Sequence, residues 1–461
     1  MVRRPEPAPT ASAPPQELFA PDVFGQLLEI FRGANKDYLY WDKFKHLSMP
    51  AGVAVEDAWR LLKLARRLNQ RATKLFDVSG NLFWYTRTEE IERILHVIDQ
   101  QAGGNVTTSV TNLPTHVKQR YLISSLMEEA IASSQIEGAA TTRRNAKDML
   151  RSKRPPRDRS EQMILNNYNT ISRIKGLYLE PLTPELIVGL QESLTRDAID
   201  HPDDCGRFRC DADDIVITAG SAGSNEVLHV PPPANTIAPE MARLCDYAND
   251  KDPEFEHPVL KAIILHFWLA YLHPFADGNG RTARALFYLY MLKEGYWLFE
   301  YLSISRVIKN REAQYYRSFL YSEVDAADLT YFLTFNLHAI EQSLAELWEY
   351  LDRKSKEDAA LTSRLEREAS LNYRQRAILM RALREPDTEF TIESHLTSHD
   401  VSYGTSRNDL LGLVDKGHLI LAKRGREYVF RAAESLAAQL GGAKAEIHRD
   451  SIQFSNKSQS N

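Results

Sequence analysis

Apolar residues along this chain recur mostly at three- and four-residue intervals, so helices dominate the expectation. The run Ala58, Leu61, Leu62, Leu64, Ala65, Leu68 predicts one of them, within a stretch from about Leu18 to Gly104 that Gly and Pro otherwise punctuate and that shows no catalytic spacing. After the turn-like Gly103, Gly104, Asn105, strong helical periods run from Tyr121 through the 340s and mark the core candidate. Within it, Leu122, Leu126 and Ala130 predict an amphipathic helix that stops at Gly138. A second helix opens with Thr183 as cap and Pro184 at its first position, then puts Leu186, Leu190 and Leu194 on one face. The period turns strand-like at Ile215, Val216, Ile217 and again at Val227, Leu228, His229, Val230, which flank a Gly and Ser stretch as in a β-hairpin.

Beyond the 340s the charged run Arg353 to Glu368 reads as a solvated helix or connector. From about Asn372 to Arg431 the order is helix, short helix, helix, then two short strands around Lys423, Arg424, Gly425, Arg426, the plan of a winged helix. Ser402, Thr405, Ser406, Arg407 and Asn408 are candidates to face a DNA groove, but Asp409, Asp415 and Glu427 nearly balance the charge. A protein-contact or structural role therefore competes, and DNA is not assigned as a partner.

Composition bounds the class. At 461 residues, with 43% hydrophobic and 26% charged positions, the chain is long enough for two or three cores and is not a disordered or fibrous sequence. Its net charge of -5 gives no global attraction to nucleic acid or anionic lipid. Cys205, Cys210 and Cys245 are too few and too scattered for a disulfide scaffold or a strong zinc set, which suits a reducing compartment. Met1 to Gln16 lacks the apolar core of a signal peptide, and the most apolar stretch, Pro258 to Leu272, is short for a membrane span and carries Lys261 and His266. The expectation is a cytoplasmic protein with no membrane partner.

Between two apolar helices lies His273, Pro274, Phe275, Ala276, Asp277, Gly278, Asn279, Gly280, Arg281, Thr282, Ala283, Arg284. Gly-Asn-Gly suits a tight turn, so the second helix must begin near Asn279 or Gly280. A glycine-rich loop feeding a helix N-terminus is a nest for phosphate oxygens, and Arg281 and Arg284 add bidentate charge. His273 can take a proton from an attacking hydroxyl near neutral pH, and Asp277 offers a hard oxygen to Mg²⁺. That inventory suffices for transfer at a nucleotide phosphate.

These twelve residues match at every defined position the signature of the Fic family, His-x-Phe-x-Asp/Glu-Gly-Asn-Gly-Arg-x-x-Arg, and the chain resembles that family more loosely over about Leu122 to Ala339. The resemblance implies His273 as general base, Asp277 as Mg²⁺ ligand, Gly278, Asn279 and Gly280 around the α-phosphate, Arg281 and Arg284 on the outer phosphates, and Phe275 as a core anchor. By the same resemblance the hairpin is a flap whose Val227, Leu228, His229 and Val230 contact both the nucleotide and the incoming target chain. Tyr315 and Tyr316, preceded by Asn310 and Arg311, resemble a tyrosine pair near the adenine, with core packing as the competing reading. His266 reads as a satisfied core histidine, and Gly206, Arg207, Phe208, Arg209 either lend a cation to the site or are solvated loop residues.

Upstream, Ser133, Glu137 and Gly138 resemble the family's inhibitory motif, which sets a glutamate against the second signature arginine, here Glu137 against Arg284. The whole implies a mainly α protein: a Fic helical core with a small β-hairpin flap, an N-terminal accessory region and a C-terminal winged-helix-like domain. Expected bounds are 1–17 disordered tail, 18–110 accessory region, 111–350 catalytic domain with inhibitory helix, 351–371 connector, 372–435 winged-helix-like domain and 436–461 tail. The implied activity is an autoinhibited protein adenylyltransferase, moving AMP from ATP with Mg²⁺ onto a Ser, Thr or Tyr hydroxyl of a target protein, itself included. Removal of AMP, and a DNA-binding regulator that uses the core as a nucleotide sensor, are the alternatives.

Overall fold

Helices form where the 3.6-residue pattern is cleanest, and the computed structural model, which describes residues 3–9, 13–103, 115–218, 226–249, 255–367, 370–384, 388–424 and 427–439, is mainly helical. First come α1 (Pro21–Lys36), α2 (Trp41–Phe44), α3 (Val55–Leu68), a hairpin of β1 (Gln70–Phe76) and β2 (Leu82–Thr86), and α4 (Glu89–Ala102). Next are α5 (Thr115–Ile136), α6 (Arg143–Ser152), α7 (Arg159–Ile174) and α8 (Pro184–Thr195), where Thr183 Oγ1 accepts from the Leu186 amide at 3.2 Å, as its capping position predicts. Strands β3 (Ile217–Thr218) and β4 (Val227–His229) pair antiparallel in the predicted hairpin; residues 219–225, its Gly and Ser stretch, lie outside the described residues. The helices α9 (Ile237–Asn249), α10 (Pro258–Leu272), α11 (Asn279–Lys293), α12 (Ile304–Asn310), α13 (Glu312–Val324) and α14 (Thr330–Arg367) follow. Last are α15 (Tyr373–Arg384), β5 (Phe390–Thr391), α16 (Ile392–His399), α17 (Tyr403–Asp415), β6 (Leu419–Arg424), β7 (Glu427–Ala432) and α18 (Leu436–Gln439).

The chain divides into two compact units, Met1–Thr111 with Arg120–Leu347, and Asn112–Gln119 with Trp348–Asn461. In the larger unit, α10 is buried on all sides, with Ile263, Leu265, Phe267 and Trp268 fully buried and Lys261 and His266 buried among them. The expected separation of an accessory region 18–110 from a core 111–350 does not hold, because backbone pairing and buried charge join them. Trp84 of β2 donates from its amide to Ala327 O at 3.0 Å and from its indole to Ala326 O at 2.8 Å, and its carbonyl accepts from Leu329 at 2.7 Å. Ala326 and Ala327 both sit at left-handed φ, 55° and 61°, a strained pair that this pairing holds in place.

Behind the strained loop, Lys63 contacts both Asp325 and Asp328 at 2.8 Å, Tyr38 donates to Asp328 at 2.8 Å and Tyr331 to Asp325 at 2.6 Å. The Arg66 guanidinium lies 3.7 Å from the Tyr38 ring centroid and donates to Asn35 and the Leu39 carbonyl. Two buried aspartates need cations opposite them, so α3 turns Lys63 and Arg66 inward. Leu64 and Leu68 point outward instead, 43% and 77% exposed, which corrects the apolar face read for this helix. Part of the expected tail 1–17 also packs here: Tyr40 donates to the Glu6 carbonyl at 2.8 Å, and Lys45 pairs with the Glu6 carboxylate.

In the smaller unit β5, β7 and β6 form an antiparallel sheet in that order, over a core of Leu371, Leu379, Leu410, Leu413 and Phe430. Helix, short helix, helix and two strands occur as expected, with β5 added. Asp409 was counted among surface charges, yet it is buried, accepting from Arg374 at 2.6 Å, Asn372 at 2.7 Å and His395 at 3.1 Å. Ser406 is likewise buried and donates to the Ile392 carbonyl at 2.6 Å, so neither residue faces a groove. Gly425 and Arg426 of the expected wing lie outside the described residues, as does most of the expected tail 436–461.

Candidate active site

Helix α10 ends at His273, whose left-handed φ of 48° turns the chain out of the helix while its amide still bonds Leu269 O at 3.0 Å. The turn is held from three sides. Arg209 donates from Nε to the His273 carbonyl at 2.8 Å and from Nη2 to the carbonyls of Pro232 at 2.5 Å and Leu272 at 3.4 Å. Asn279 clasps Phe275, its Oδ1 accepting from the Phe275 amide at 2.9 Å and its Nδ2 donating to the Phe275 carbonyl at 2.7 Å. Phe275 itself is fully buried, 5.5 Å from Phe208 between ring centroids.

Gly278 ends the loop at φ 87°, where a Cβ would lie 2.6 Å from the Thr195 methyl, so conformation and space both demand glycine. Helix α11 then starts at Asn279 as the sequence predicts. A Cβ on Gly280 would meet the Glu137 carboxyl carbon at 2.8 Å: a carboxylate from α5's C-terminal turn lies directly against the N-terminal backbone of α11. That carboxylate bonds Arg284 Nη2 at 2.9 Å. Arg284 also donates to Ser133 Oγ and the Ser133 carbonyl, each at 2.9 Å, while its buried Nη1 has no protein partner.

The two signature arginines differ in their partners. Arg281 is fully buried and donates to the Leu194 carbonyl at 3.0 Å and to Asp277 Oδ1 at 2.9 Å. Asp277 accepts from the Gly278 amide through the same oxygen, and its Oδ2 has only a 3.3 Å contact to the half-exposed Arg159. One carboxylate oxygen, on a side chain 31% exposed, therefore faces solvent with a weak protein partner.

His273 directs Nδ1 to the Ala270 carbonyl at 3.3 Å, and burial, with His229 and Arg209 nearby, lowers its pKa to about 4. It is a neutral imidazole near pH 7. His266 is buried with Nε2 2.9 Å from the Tyr315 hydroxyl, and burial lowers its pKa to about 3, which agrees with a core histidine. Tyr315 is thereby enclosed, and its pKa is pushed up to about 12 by burial. Of the flap residues, Val227 and Val230 are exposed, but His229 turns inward, Nδ1 2.7 Å from Glu323 and Nε2 2.8 Å from the Tyr271 carbonyl. Arg207 pairs with Asp204 and Asp213, so it lends no free cation to the site.

Of the two readings of Arg209, the structure favours the one at the site, where it clasps loop carbonyls; sequence reasoning missed Glu323 beneath the flap and Glu129 behind Ser133 on α5. Glu129, Ser133 and Glu137 recur every four residues along one helical face, a signal present in the sequence.

Comparison with known proteins places these observations. Residues 181–291 match the Fic/DOC family. The chain is similar to the Protein adenylyltransferase Fic of Nematostella vectensis, 36% identical over 99 residues, which are 21% of this chain and 20% of that protein. A second relative, the Protein adenylyltransferase Fic of Drosophila willistoni, is 39% identical over 83 residues, 17% of each chain. The chain thus spans about a fifth of the length of the curated relatives it matches. In fold it is similar to the crystal structure of a Fic family protein from Desulfovibrio desulfuricans, with a TM-score of 0.52, 22% identity, and coverage of 76% of this chain and 97% of that one.

Proposed function

The chain carries a Fic domain, and from that premise we propose that it is a protein adenylyltransferase held in check by Glu137. One observation carries the reading: the Glu137 carboxylate lies against Gly280 in the first turn of α11 and accepts from Arg284 at 2.9 Å, where an anionic phosphate oxygen of ATP would find the same guanidinium. With the carboxylate in place the outer phosphates are excluded and the α-phosphate is not aligned for attack. With it displaced, the Nη2 hydrogen that Glu137 held and the unpartnered Nη1 of Arg284 are left to clamp phosphate.

His273, neutral near pH 7, takes the proton of an acceptor hydroxyl as that oxygen bonds to the α-phosphorus. The bond from the α-phosphorus to the bridging oxygen breaks in line, pyrophosphate leaves, and AMP stays on the target. Asp277 fits a Mg²⁺ ligand because its Oδ2 is accessible and weakly held. No group of three or more His, Cys, Asp or Glu is placed for a metal among the described residues, so the ion's other ligands would be phosphate oxygens and water. Bound there, Mg²⁺ offsets charge on the phosphates. The exposed Val227 and Val230 suit a flap that pairs with an extended target segment, and His229 anchors that flap. No helix among the described residues is long and apolar enough to cross a membrane.

The test is transfer from α-labelled ATP with Mg²⁺ and cell lysate by the wild type, Glu137→Gly, and Glu137→Gly/His273→Ala. Incorporation that rises in the first variant and vanishes in the second supports both transfer and brake. ATP binding without incorporation in any variant would overturn AMP transfer.

A further inference from the structure

The inhibitory glutamate sits on the last turn of α5, where backbone carbonyls have no helical partner and the chain is free to fray. Here those carbonyls are taken up. Lys309 Nζ, at the end of α12, donates to the Gln135 carbonyl at 3.1 Å, and Tyr316, in the first turns of α13, donates to the Ile136 carbonyl at 3.4 Å. These two carbonyls immediately precede Glu137. Gly138 follows at φ 93°, its own amide bonding the Gln135 carbonyl at 3.2 Å and the next residue but one, Ala140, bonding Ser160 Oγ at 3.1 Å, so Lys309 and Tyr316 add to a turn that the chain already closes.

The other end of the same helix pair is tied as well. Glu129 is buried, its Oε2 accepting from the Ser305 amide at 2.9 Å and from Ser303 Oγ at 3.3 Å, while Oε1 accepts from Ser305 Oγ. Ser303 makes no cap of its own, so Glu129 satisfies the first turn of α12 from outside. The two helices are thus stapled twice in register, Glu129 to the start of α12 and Lys309 to the end of α5. The buried staple fixes the body of α5. Lys309 is about one-third exposed and also pairs with Glu312 at 2.6 Å, so it is the joint that solvent can reach.

We propose that Lys309 is the latch of the brake: its bond to the Gln135 carbonyl, backed by Tyr316, positions the Glu137 carboxylate against Arg284, and breaking it releases inhibition without altering the phosphate site. This rests on Glu137 being inhibitory. Lys309 acts through the helix end and is a positioning residue, not a catalytic one.

The experiment measures labelling from α-labelled ATP by wild type, Lys309→Met, Lys309→Arg, Glu137→Gly and Lys309→Met/Glu137→Gly, with amide hydrogen exchange at residues 135–139 in the first two. Lys309→Met should label about fivefold faster than wild type, the lower end of coupling between linked sites, and exchange faster at those amides. Lys309→Arg should restore wild-type labelling, and the double variant should match Glu137→Gly, because a latch has no effect once the carboxylate is gone. Faster labelling in Glu137→Gly with Lys309→Met unchanged in both readouts would overturn the latch and leave the brake standing. Unchanged labelling in Glu137→Gly would overturn the brake and the latch together. Slower labelling in the double variant than in Glu137→Gly would place Lys309 in the phosphate site and overturn the latch alone.

Discussion

Two places in the larger unit bury two cations against two carboxylates, and they differ in who is exposed. Beneath the α13 to α14 loop, Lys63 and Arg66 face Asp325 and Asp328, and all four are buried. At the start of α11, Arg281 and Arg284 are equally buried, but Asp277 and Glu137 are 31% and 28% exposed. Fully enclosed charge ties elements of the fold together. Enclosed cations with accessible anions suit the proposed exchange of one anion for another, a phosphate oxygen for Glu137 on Arg284.

The sharpest break with that comparison comes from removing the proposed base. In the Glu137→Gly background, His273→Ala should lower transfer about 10²- to 10⁴-fold with little change in melting temperature, read by labelling and calorimetry. Next, Asp328→Ala leaves Lys63 buried without one of its anions and should destabilise the protein by about 3–5 kcal/mol in denaturant unfolding. Glu137→Gly, by contrast, should cost less, since its carboxylate is partly in water and Arg284 keeps its bonds to Ser133 Oγ and the Ser133 carbonyl. Equal losses at these two carboxylates would erase the distinction between a structural and an exchangeable pair.

The smallest effect is in pH. His273 and His266 titrate at about 4 and about 3 in the folded chain against 6.5 in a free side chain. Below pH 6.5 the unfolded chain binds protons that the folded one refuses, so stability falls as pH drops from there toward 4. If His273 is the base as proposed, it stays unprotonated there, and transfer by Glu137→Gly should be flat from about pH 8 to 6, with its acid limb below about pH 5. A limb centred near 6.5 would contradict the burial of His273.

The exchangeable site was legible in the sequence because its geometry is local: the turn, the glycines and both arginines lie within twelve consecutive residues, and Glu137 carries a short motif. The enclosed network was not legible. The apolar spacing of α3 singles out neither Lys63 nor Arg66, and only a loop some 260 residues away supplies the aspartates that Lys63 meets. The same holds for Asp409, counted as a surface charge until Arg374, Asn372 and His395 close around it. Arg281 sits between the cases. Its motif position was plain, but its donation to the Leu194 carbonyl depends on where α8 ends.

Exchange of anions at Arg284 is the central claim, and calorimetric titration of ATP with Mg²⁺ into wild type and Glu137→Gly tests it most directly. The account predicts binding at least about fivefold tighter without the carboxylate. Equal affinities would show that Glu137 and the phosphates do not compete for Arg284, and would contradict it.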